Sequence, residues 1–335
     1  MDLANRTEPQ DTDQPEAAGI PTIGDVRAAA ARIRPHLPPT PMWSYPALNR
    51  LAGAELYVKH ENVQPTGAFK VRGGINLLTQ LPPDQARRGV IAYSTGNHGQ
   101  SIAYASRLLG IRCRIVMPEG ISATKTEPIR LLGAELVEVG ARFDDAREYA
   151  GTLASETGAR LISAANEPAI IAGVATSSLE MLTAEPDLDA VVVPVGSGTG
   201  AAAACLVAAA LAPRCRVIGV QSAGSPAAYR SWRAGRCVTA PDATVAEGLA
   251  TGVGFDLPQR VLTQRLTDFW LVDDDAIVAA MGHLLRHAHT LAELAGAAAL
   301  AGVLTHREEL AGRRVGVVCT GANASPVQIM TALAG

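Results

Sequence analysis

Short apolar runs recur along this chain, and longer segments with helical periodicity separate them. Several of these runs carry almost no polar residues, which is typical of strands that helices cover on both faces. Strands and helices that alternate in this way predict an α/β protein with largely parallel sheets. The predicted strands are Glu55–His60, Gly89–Tyr93, Arg112–Met117, Glu135–Val139, Ala190–Val195, Arg216–Gln221, Phe269–Val272 and Arg314–Cys319, and representative helices are His98–Leu109, Asp144–Thr157 and Asp275–His289.

The composition argues against several classes of protein. Hydrophobic residues make up 48% of the 335 residues and charged residues 18%, so the bulk of the chain is not intrinsically disordered. The formal net charge of −3 provides no basic excess for binding nucleic acid. The most apolar stretch, residues 191–212, is interrupted by Pro194 and three glycines, so we expect no membrane-spanning segment.

The first 17 residues are polar and acidic, and they lack the apolar core of a secretory signal. We expect residues 1–17 to form a disordered tail. The five cysteines are scattered and include no CxxC pair, which argues against a disulfide scaffold and a structural zinc site. This cysteine usage favours a reducing compartment, and we therefore expect a cytoplasmic protein.

Two glycine-containing segments lie where a predicted strand gives way to a helix. Ser94–Gly99 follows the strand that ends at Tyr93, and Val195–Gly200 follows the strand that begins at Ala190. The exposed backbone N–H groups and the dipole at the start of a helix favour an anion. A chain with two such junctions can hold a substrate carboxylate at one and a phosphate at the other.

The second junction also matches the loose dinucleotide-binding pattern G-x-G-x-x-G/A. That pattern needs an acidic residue about 20 positions later to bind a ribose hydroxyl, but the next strand ends at Gln221. The sequence therefore indicates a phosphate cradle and gives no support to a dehydrogenase.

The segment His60–Gly74 carries a lysine, Lys70, behind a Pro-Thr-Gly turn. This segment and Ser94–Gln100 together resemble the cofactor-lysine and Asn-His-Gly motifs of the fold type II pyridoxal-phosphate enzymes, in the threonine dehydratase and serine racemase group. The resemblance spans nearly all of residues 20–325. It continues in order through Met117–Glu119, Val195–Gly200, Val245–Ala250, Glu293–Leu300 and Cys319–Asn323.

The resemblance implies the fold type II architecture, in which two open, twisted α/β domains with largely parallel sheets hold pyridoxal 5'-phosphate (PLP) between them. The large PLP-binding domain would comprise residues 18–89 and 165–335. The small domain, residues 90–164, would carry the carboxylate-binding segment and close over the substrate.

The resemblance also implies how the cofactor is held. Lys70 would form the Schiff base with PLP and, once released, take the α-proton of the substrate, which requires a pKa well below the usual 10.4 of lysine. Phe69 would pack near the cofactor ring, Asn97 would hydrogen-bond its phenolic oxygen, and Thr320 would face its nitrogen. The phosphate would be bound by Gly196, Ser197, Gly198, Thr199 and Gly200.

The substrate carboxylate would be bound by backbone N–H groups at the start of the helix after Tyr93. Thr95 is a further catalytic candidate, because racemases of the group carry at this place a serine that reprotonates the opposite face of the substrate. Glu293 is expected near the cofactor by its place in the pattern, with a helix-capping role as the alternative. The carboxylate-binding residues would be Ser94, Thr95, Gly96, Asn97 and His98.

By the resemblance, Thr320 would present a neutral hydroxyl that donates to the ring nitrogen without protonating it, which favours elimination of a β-leaving group. The resemblance therefore implies a PLP-dependent lyase, an ammonia-lyase that converts a β-hydroxy amino acid such as L-threonine or L-serine to a 2-oxo acid and ammonia. The alternatives are a β-replacement synthase or an amino-acid racemase on the same scaffold, and a cofactor-free homologue. We expect a homodimer or homotetramer with a small amino-acid substrate, and neither nucleic acid nor membrane as a partner.

Several enzymes of the group bind a divalent cation through two acidic side chains that follow the strand after the phosphate loop. The corresponding places in this chain are Gln221 and Ala227. Since both charges are missing, we expect no metal site there.

Overall fold

The computed structural model of the protein describes residues 19–334, so the predicted tail at residues 1–17 lies outside the described part. The described residues form ten strands in two separate sheets, together with fourteen α-helices. No helix within residues 19–334 combines the length and the apolar character needed to cross a membrane.

The larger sheet has six strands. They are β1 (Met42–Trp43), β2 (Glu55–His60), β7 (Ala190–Pro194), β8 (Arg216–Ser222), β9 (Asp268–Val272) and β10 (Arg314–Cys319). Their order across the sheet is β1-β2-β10-β7-β8-β9. Every neighbouring pair is parallel except β1 and β2, which run antiparallel with Met42 opposite Lys59.

The smaller sheet has four strands, all parallel to their neighbours. They are β3 (Val90–Tyr93), β4 (Cys113–Met117), β5 (Glu135–Glu138) and β6 (Arg160–Ile162). Their order across the sheet is β5-β4-β3-β6. This sheet is therefore built from one continuous stretch of chain, which lies between β2 and β7 of the larger sheet.

Helices connect most successive strands, as parallel pairing requires. The α-helices are α1 (Ile23–Ile33), α2 (Pro46–Ala52), α3 (Lys70–Leu78), α4 (Pro83–Arg88), α5 (Asn97–Leu109), α6 (Ala123–Leu131), α7 (Phe143–Thr157), α8 (Pro168–Ala184), α9 (Thr199–Leu211), α10 (Ala227–Ala234), α11 (Asp256–Arg265), α12 (Asp274–Ala288), α13 (Leu294–Thr305) and α14 (Pro326–Ala334). Two short 3₁₀ segments cover Glu61–Val63 and Glu247–Leu249.

The larger sheet is buried on both faces. Alternate residues of β7 contribute to two different hydrophobic cores, because successive side chains of a strand point to opposite faces. Val191 and Val193 belong to the core that contains the alanines of α9, and Val192 belongs to the core that contains the alanines of α13. The α/β class with largely parallel sheets, predicted from the apolar runs, is confirmed.

Candidate active site

Three chain segments that follow parallel strands meet at one place. They come after β3, β7 and β10, and the carboxyl ends of parallel strands in an α/β sheet are where ligands usually bind. The segments after β3 and β10 touch directly, since the Asn323 amide donates to the side-chain oxygen of Asn97 over 2.7 Å. The segment after β7 is joined to them through Lys70, whose ammonium reaches Thr199.

Lys70 is the first residue of α3, and its side chain points to the start of α9. Its Nζ donates to Oγ1 of Thr199 over 2.8 Å and lies 3.4 Å from Oγ of Ser197. The ring of Phe69 lies beside the same nitrogen, with its centroid 5.2 Å away. Burial lowers the pKa of Lys70 to about 8, so a much larger fraction of the amine is neutral than for a lysine in water.

Backbone hydrogen bonds hold the Lys70 segment against the end of β10. The N–H of Phe69 donates to the carbonyl oxygen of Thr320 over 3.0 Å, and the N–H of Ala322 donates to the carbonyl oxygen of Gly67 over 2.8 Å. Gly67 has a φ of 65°, a left-handed conformation that favours glycine in the turn before the lysine. Thr320 is thereby fixed next to Phe69, and its side chain is buried.

The opposite side of α3 is fixed by α5. The Ser101 hydroxyl donates to the carbonyl oxygen of Lys70 over 2.6 Å. The two helices pack so closely at this point that a Cβ on Gly74 would meet the Ser101 backbone and side chain. Lys70 is therefore held between the segment after β10 and the helix after β3.

The glycine-containing loop Gly196–Gly200 forms a cradle at the start of α9. Gly198 precedes the helix with a φ of 91°, and a Cβ on Gly196 would collide with the carbonyl oxygen of Gly248. The backbone N–H groups of this loop and the first turn of a 13-residue helix together suit a phosphate. The hydroxyls of Ser197 and Thr199 flank the cradle on the Lys70 side.

A second group of contacts surrounds Asn97, the first residue of α5. Its amide nitrogen donates to Oε1 of Glu293 over 2.7 Å, and Asn323 also donates to the carbonyl oxygen of Thr66 over 2.9 Å. Burial raises the pKa of Glu293 to about 7, while the hydrogen bond from Asn97 acts in the opposite direction. Glu293 is thus a side chain of the site that can carry either protonation state near neutral pH.

The residues predicted to bind a carboxylate lie around the start of α5. The N–H of Ser94 continues the pairing with β4 by donating to the carbonyl oxygen of Val116 over 3.0 Å, and the N–H of Gly96 donates to Oγ of Ser94 over 3.2 Å. Thr95 lies between Ser94 and Gly96 in the chain and is half-buried.

His98 is a buried, neutral member of the same turn. Burial, together with the charge of Lys70, lowers its pKa to about 3. Within residues 19–334, its Nε2 has no hydrogen-bond partner. The imidazole therefore brings no positive charge to the segment, and an anion there would depend on the helix N-terminus.

The expected absence of a metal site remains a prediction. In the described part of the chain, no three or more histidine, cysteine, aspartate or glutamate side chains come close enough together to hold a metal ion. Gln221 is fully buried, and its Oε1 accepts a 3.0 Å hydrogen bond from the N–H of Tyr229.

No sequence pattern indicates one ion pair whose charges act on Glu293. Lys125 of α6 pairs with Glu247 of the 3₁₀ segment Glu247–Leu249. Glu247 lies within the motif Val245–Ala250, which indicates no role for it, and no local pattern distinguishes Lys125. Asn323 likewise stands in the sequence only as the last residue of the motif Cys319–Asn323.

The chain is similar to known proteins in both sequence and fold. The sequence profile of the family described as "pyridoxal-phosphate dependent enzyme" matches residues 33–321. The β-hydroxyaspartate dehydratase of Paracoccus denitrificans is 38% identical over 306 residues, covering 91% of this chain and 96% of the relative. The L-threo-3-hydroxyaspartate ammonia-lyase of Saccharomyces cerevisiae is 34% identical over 318 residues, covering 94% of this chain and 97% of the relative. Among solved structures, maize serine racemase superimposes with a TM-score of 0.88 at 31% identity, covering 93% of this chain and 97% of that one.

Proposed function

Because the chain belongs to the family of pyridoxal-phosphate-dependent enzymes, we propose that it is an ammonia-lyase that eliminates water from a β-hydroxy amino acid. The products are a 2-oxo acid and ammonia. The observation that carries the proposal is the position of Lys70, whose buried amine lies 2.8 Å from Thr199 at the start of α9. The names of the relatives support the reaction class, since two of them are dehydratases or ammonia-lyases of 3-hydroxyaspartate.

The residues present fit PLP. Gly196–Gly200 offers a phosphate cradle that has no room for a Cβ at Gly196, and Lys70 provides an amine for the cofactor aldehyde. The second N–H of the Asn97 amide suits the phenolic oxygen, and the buried Thr320 suits the ring nitrogen. When bound, the cofactor supplies an electron sink for the negative charge that develops on the α-carbon of the substrate.

Lys70 is assigned the proton transfers. An amine with a pKa of about 8 can take the α-proton near neutral pH, whereas an ordinary lysine is almost wholly protonated there. The Thr199 hydroxyl accepts a hydrogen bond from the ammonium and so keeps Nζ directed into the cleft.

The start of α5 is assigned the substrate carboxylate. The N–H groups of Thr95, Asn97 and His98, together with the helix dipole, attract the anion, which orients the α-proton toward Lys70. Asn97 is kept in one orientation by two partners, since its nitrogen donates to Glu293 and its oxygen accepts from Asn323. The two sheets then enclose the substrate and exclude water from the reacting atoms.

The test is direct. Purified holoenzyme is mixed with L-serine, L-threonine and L-threo-3-hydroxyaspartate, and the 2-oxo acid and ammonia are measured separately. We expect the two products in equal amounts from at least one of these substrates. Absence of both products with a broad panel of β-hydroxy amino acids would refute the proposal.

Racemisation is the second candidate, and one observation favours it. Thr95 carries a hydroxyl at the start of α5, and the fold superimposes on a serine racemase. The methyl group of threonine restricts its rotamer, so we place this activity below elimination. Formation of the D-enantiomer faster than the 2-oxo acid would reverse that order.

The homodimer or homotetramer and the cytoplasmic location remain predictions from the sequence. A small amino acid as the substrate is consistent with the relatives. Light scattering on the purified protein measures the oligomeric state.

A further inference from the structure

Lys125 and Glu247 form an ion pair close enough to the candidate site for both charges to act on Glu293. Lys125 lies in the first turns of α6, which follows β4 of the four-stranded sheet. Glu247 precedes Gly248, whose carbonyl oxygen packs against Gly196 of the phosphate cradle. The pair therefore joins the part of the molecule that carries the substrate-carboxylate segment to the part that carries the phosphate cradle.

Both charges act on the interior of the site. The positive charge of Lys125 lowers the pKa of Glu293, and the negative charge of Glu247 raises it. Glu293 is hydrogen-bonded to Asn97, so the Lys125 ammonium lies within electrostatic reach of the place assigned to the substrate. The Lys125 side chain is 29% exposed, whereas that of Glu247 is 59% exposed.

The other basic side chain on α6 is directed elsewhere. Arg130 donates to Oγ1 of Thr126 over 3.1 Å and to Oε1 of Glu138 over 2.8 Å, at the end of β5. Arg130 therefore pairs with a residue of the four-stranded sheet, whereas Lys125 pairs with Glu247, which lies outside that sheet.

We propose that the Lys125 ammonium binds the distal carboxylate of a β-hydroxy dicarboxylic amino acid. When no substrate is bound, the same ammonium pairs with the carboxylate of Glu247. This inference rests on the proposed function and names the substrate class of that site. A substrate with two carboxylates needs two anion sites, and the start of α5 supplies one. Two relatives whose names refer to 3-hydroxyaspartate agree with a second site.

The exchange of one carboxylate for the other is electrostatically balanced. The ammonium of Lys125 has an anionic partner before and after binding, so no charge is left unpaired in the cleft. Glu247 is exposed, so its carboxylate returns to water at little cost in free energy, because exposed ion pairs contribute little to stability. A charge-assisted hydrogen bond from a partly enclosed ammonium to the substrate is the stronger of the two contacts.

The competing explanation is a closure contact that only holds the two parts together. Loss of either side chain would then have the same effect, and every substrate would be affected equally. A substrate-binding role separates the two residues, since the variant without Lys125 loses the binding group and the variant without Glu247 loses its competitor.

The experiment compares K125M and E247Q, with kcat/KM measured for L-threo-3-hydroxyaspartate and for L-serine. We expect K125M to reduce the ratio of the two values by about 10- to 100-fold, the worth of one hydrogen bond to a charged group. E247Q should leave the ratio unchanged or raise it. The matched control is R130M, which removes the same charge from the same helix and should leave the ratio unchanged. Equal losses for both substrates in K125M and E247Q would overturn the inference.

Binding without turnover gives an independent result. Succinate has the four-carbon dicarboxylate spacing of 3-hydroxyaspartate, and butyrate has the same chain with one carboxylate. Calorimetry on the holoenzyme should show a preference for succinate of about tenfold or more that K125M abolishes. Equal affinity of the wild-type protein for both acids would overturn the inference. A succinate preference that depends on Lys125, found without 2-oxo acid from any substrate, would refute the ammonia-lyase function while supporting the anion site.

Discussion

The side-chain amide of Asn97 donates a 2.7 Å hydrogen bond to Oε1 of Glu293, and this bond joins the start of α5 to the residue before α13. Helix α5 connects two strands of the four-stranded sheet, whereas α13 packs on the six-stranded sheet. The contact therefore crosses between the two sheets at the candidate site. Its acceptor is a carboxyl group whose pKa is raised by burial to about 7.

Glu293→Gln should make stability depend less on pH. The pKa of Glu293 is about 7 in the folded protein and 4.5 as an ordinary glutamate, so the folded state binds the extra proton and loses stability as the pH rises from about 4.5 to about 7. Glutamine keeps the side-chain oxygen for Asn97 but never ionises. We expect the variant to gain on the order of 1–3 kcal/mol relative to wild type between pH 5 and pH 8.

The measurement is thermal unfolding of wild type and variant, stripped of cofactor, at a series of pH values. The difference in Tm should grow steadily up to about pH 7 and stay constant above it. A difference that is the same at pH 5 and pH 8 would mean that the Glu293 carboxyl titrates as it does in water.

The architecture was predictable because the central strands are buried on both faces. The eight predicted strands are all present, with Glu55–His60 and Arg314–Cys319 at the predicted bounds and the others within one residue at each end. Two strands were missed. β1 has only two residues and β6 only three, one of them the partly exposed Arg160, so neither produces an apolar run that sequence periodicity can detect.

The residues of the candidate site could be proposed from the sequence to the extent that they lie in local motifs. Lys70, Asn97 and the Gly196–Gly200 loop each follow a turn or a strand end, and the sequence displays such junctions directly. The ion pair between Lys125 and Glu247 was not predictable. It depends on how the two sheets face each other, and no spacing in the sequence encodes that arrangement.

Lys70→Ala should reduce the kcat of elimination by about 10²- to 10⁴-fold, since the base that takes the α-proton is lost. Borohydride treatment of the wild-type holoenzyme, followed by digestion and mass analysis, should locate the cofactor on the peptide that contains Lys70. Lys59→Ala is an unsuitable control because Lys59 is buried in an ion pair with Glu180, and its loss would destabilise the fold. The exposed residue Arg88 provides the control variant, Arg88→Ala. Cofactor attached to any other peptide would contradict the assignment of Lys70.

Gly196→Ala should weaken retention of PLP. A Cβ at this position meets the carbonyl oxygen of Gly248, which is backbone and cannot move away without displacing the loop. We expect the dissociation constant of the cofactor to rise by about tenfold or more, which corresponds to roughly 1.4 kcal/mol. The dissociation constant is measured by titrating PLP into the cofactor-free protein and following the absorbance of the bound cofactor.

The matched control for the cradle is Gly252→Ala. A Cβ on Gly252 would meet its nearest neighbours at 3.8 and 3.9 Å, which is ordinary van der Waals contact. That variant should bind the cofactor as the wild type does. Equal affinities in both glycine variants would show that the Gly196 cradle does not hold the phosphate.

Divalent cations should not change the activity. The side chain at Gln221 is an amide whose oxygen already accepts a hydrogen bond from the N–H of Tyr229, and the place of the second acidic ligand is taken by Ala227. Turnover measured with EDTA and with added Mg²⁺ or Mn²⁺ should be the same. Activation by either ion, together with density beside Gln221 in crystals soaked with it, would contradict this expectation.

Arg72→Met should destabilise the protein far more than loss of an exposed arginine. Arg72, two residues after Lys70, is 1% exposed, and its Nε donates to Oε2 of the fully buried Glu61 over 2.7 Å. The charge of Arg72 holds the pKa of Glu61 at about 2 against its burial, so the variant leaves a buried carboxylate without its main partner. Removing one member of a buried pair costs about 3–5 kcal/mol.

The control for Arg72→Met is Arg88→Met. Arg88 and its ion-pair partner Asp84 are both exposed to water, so this substitution should lower the free energy of unfolding by less than about 1 kcal/mol. The double variant R72M/E61M removes both charges of the buried pair. It should recover part of the lost stability, since a pair replaced by apolar side chains leaves less uncompensated charge behind. Thermal unfolding of the wild type, R72M, R88M and the double variant measures these differences. A double variant less stable than R72M would show that the hydrogen bonds from Thr40 and Ser177 to Glu61 contribute more to stability than the unpaired Glu61 charge costs.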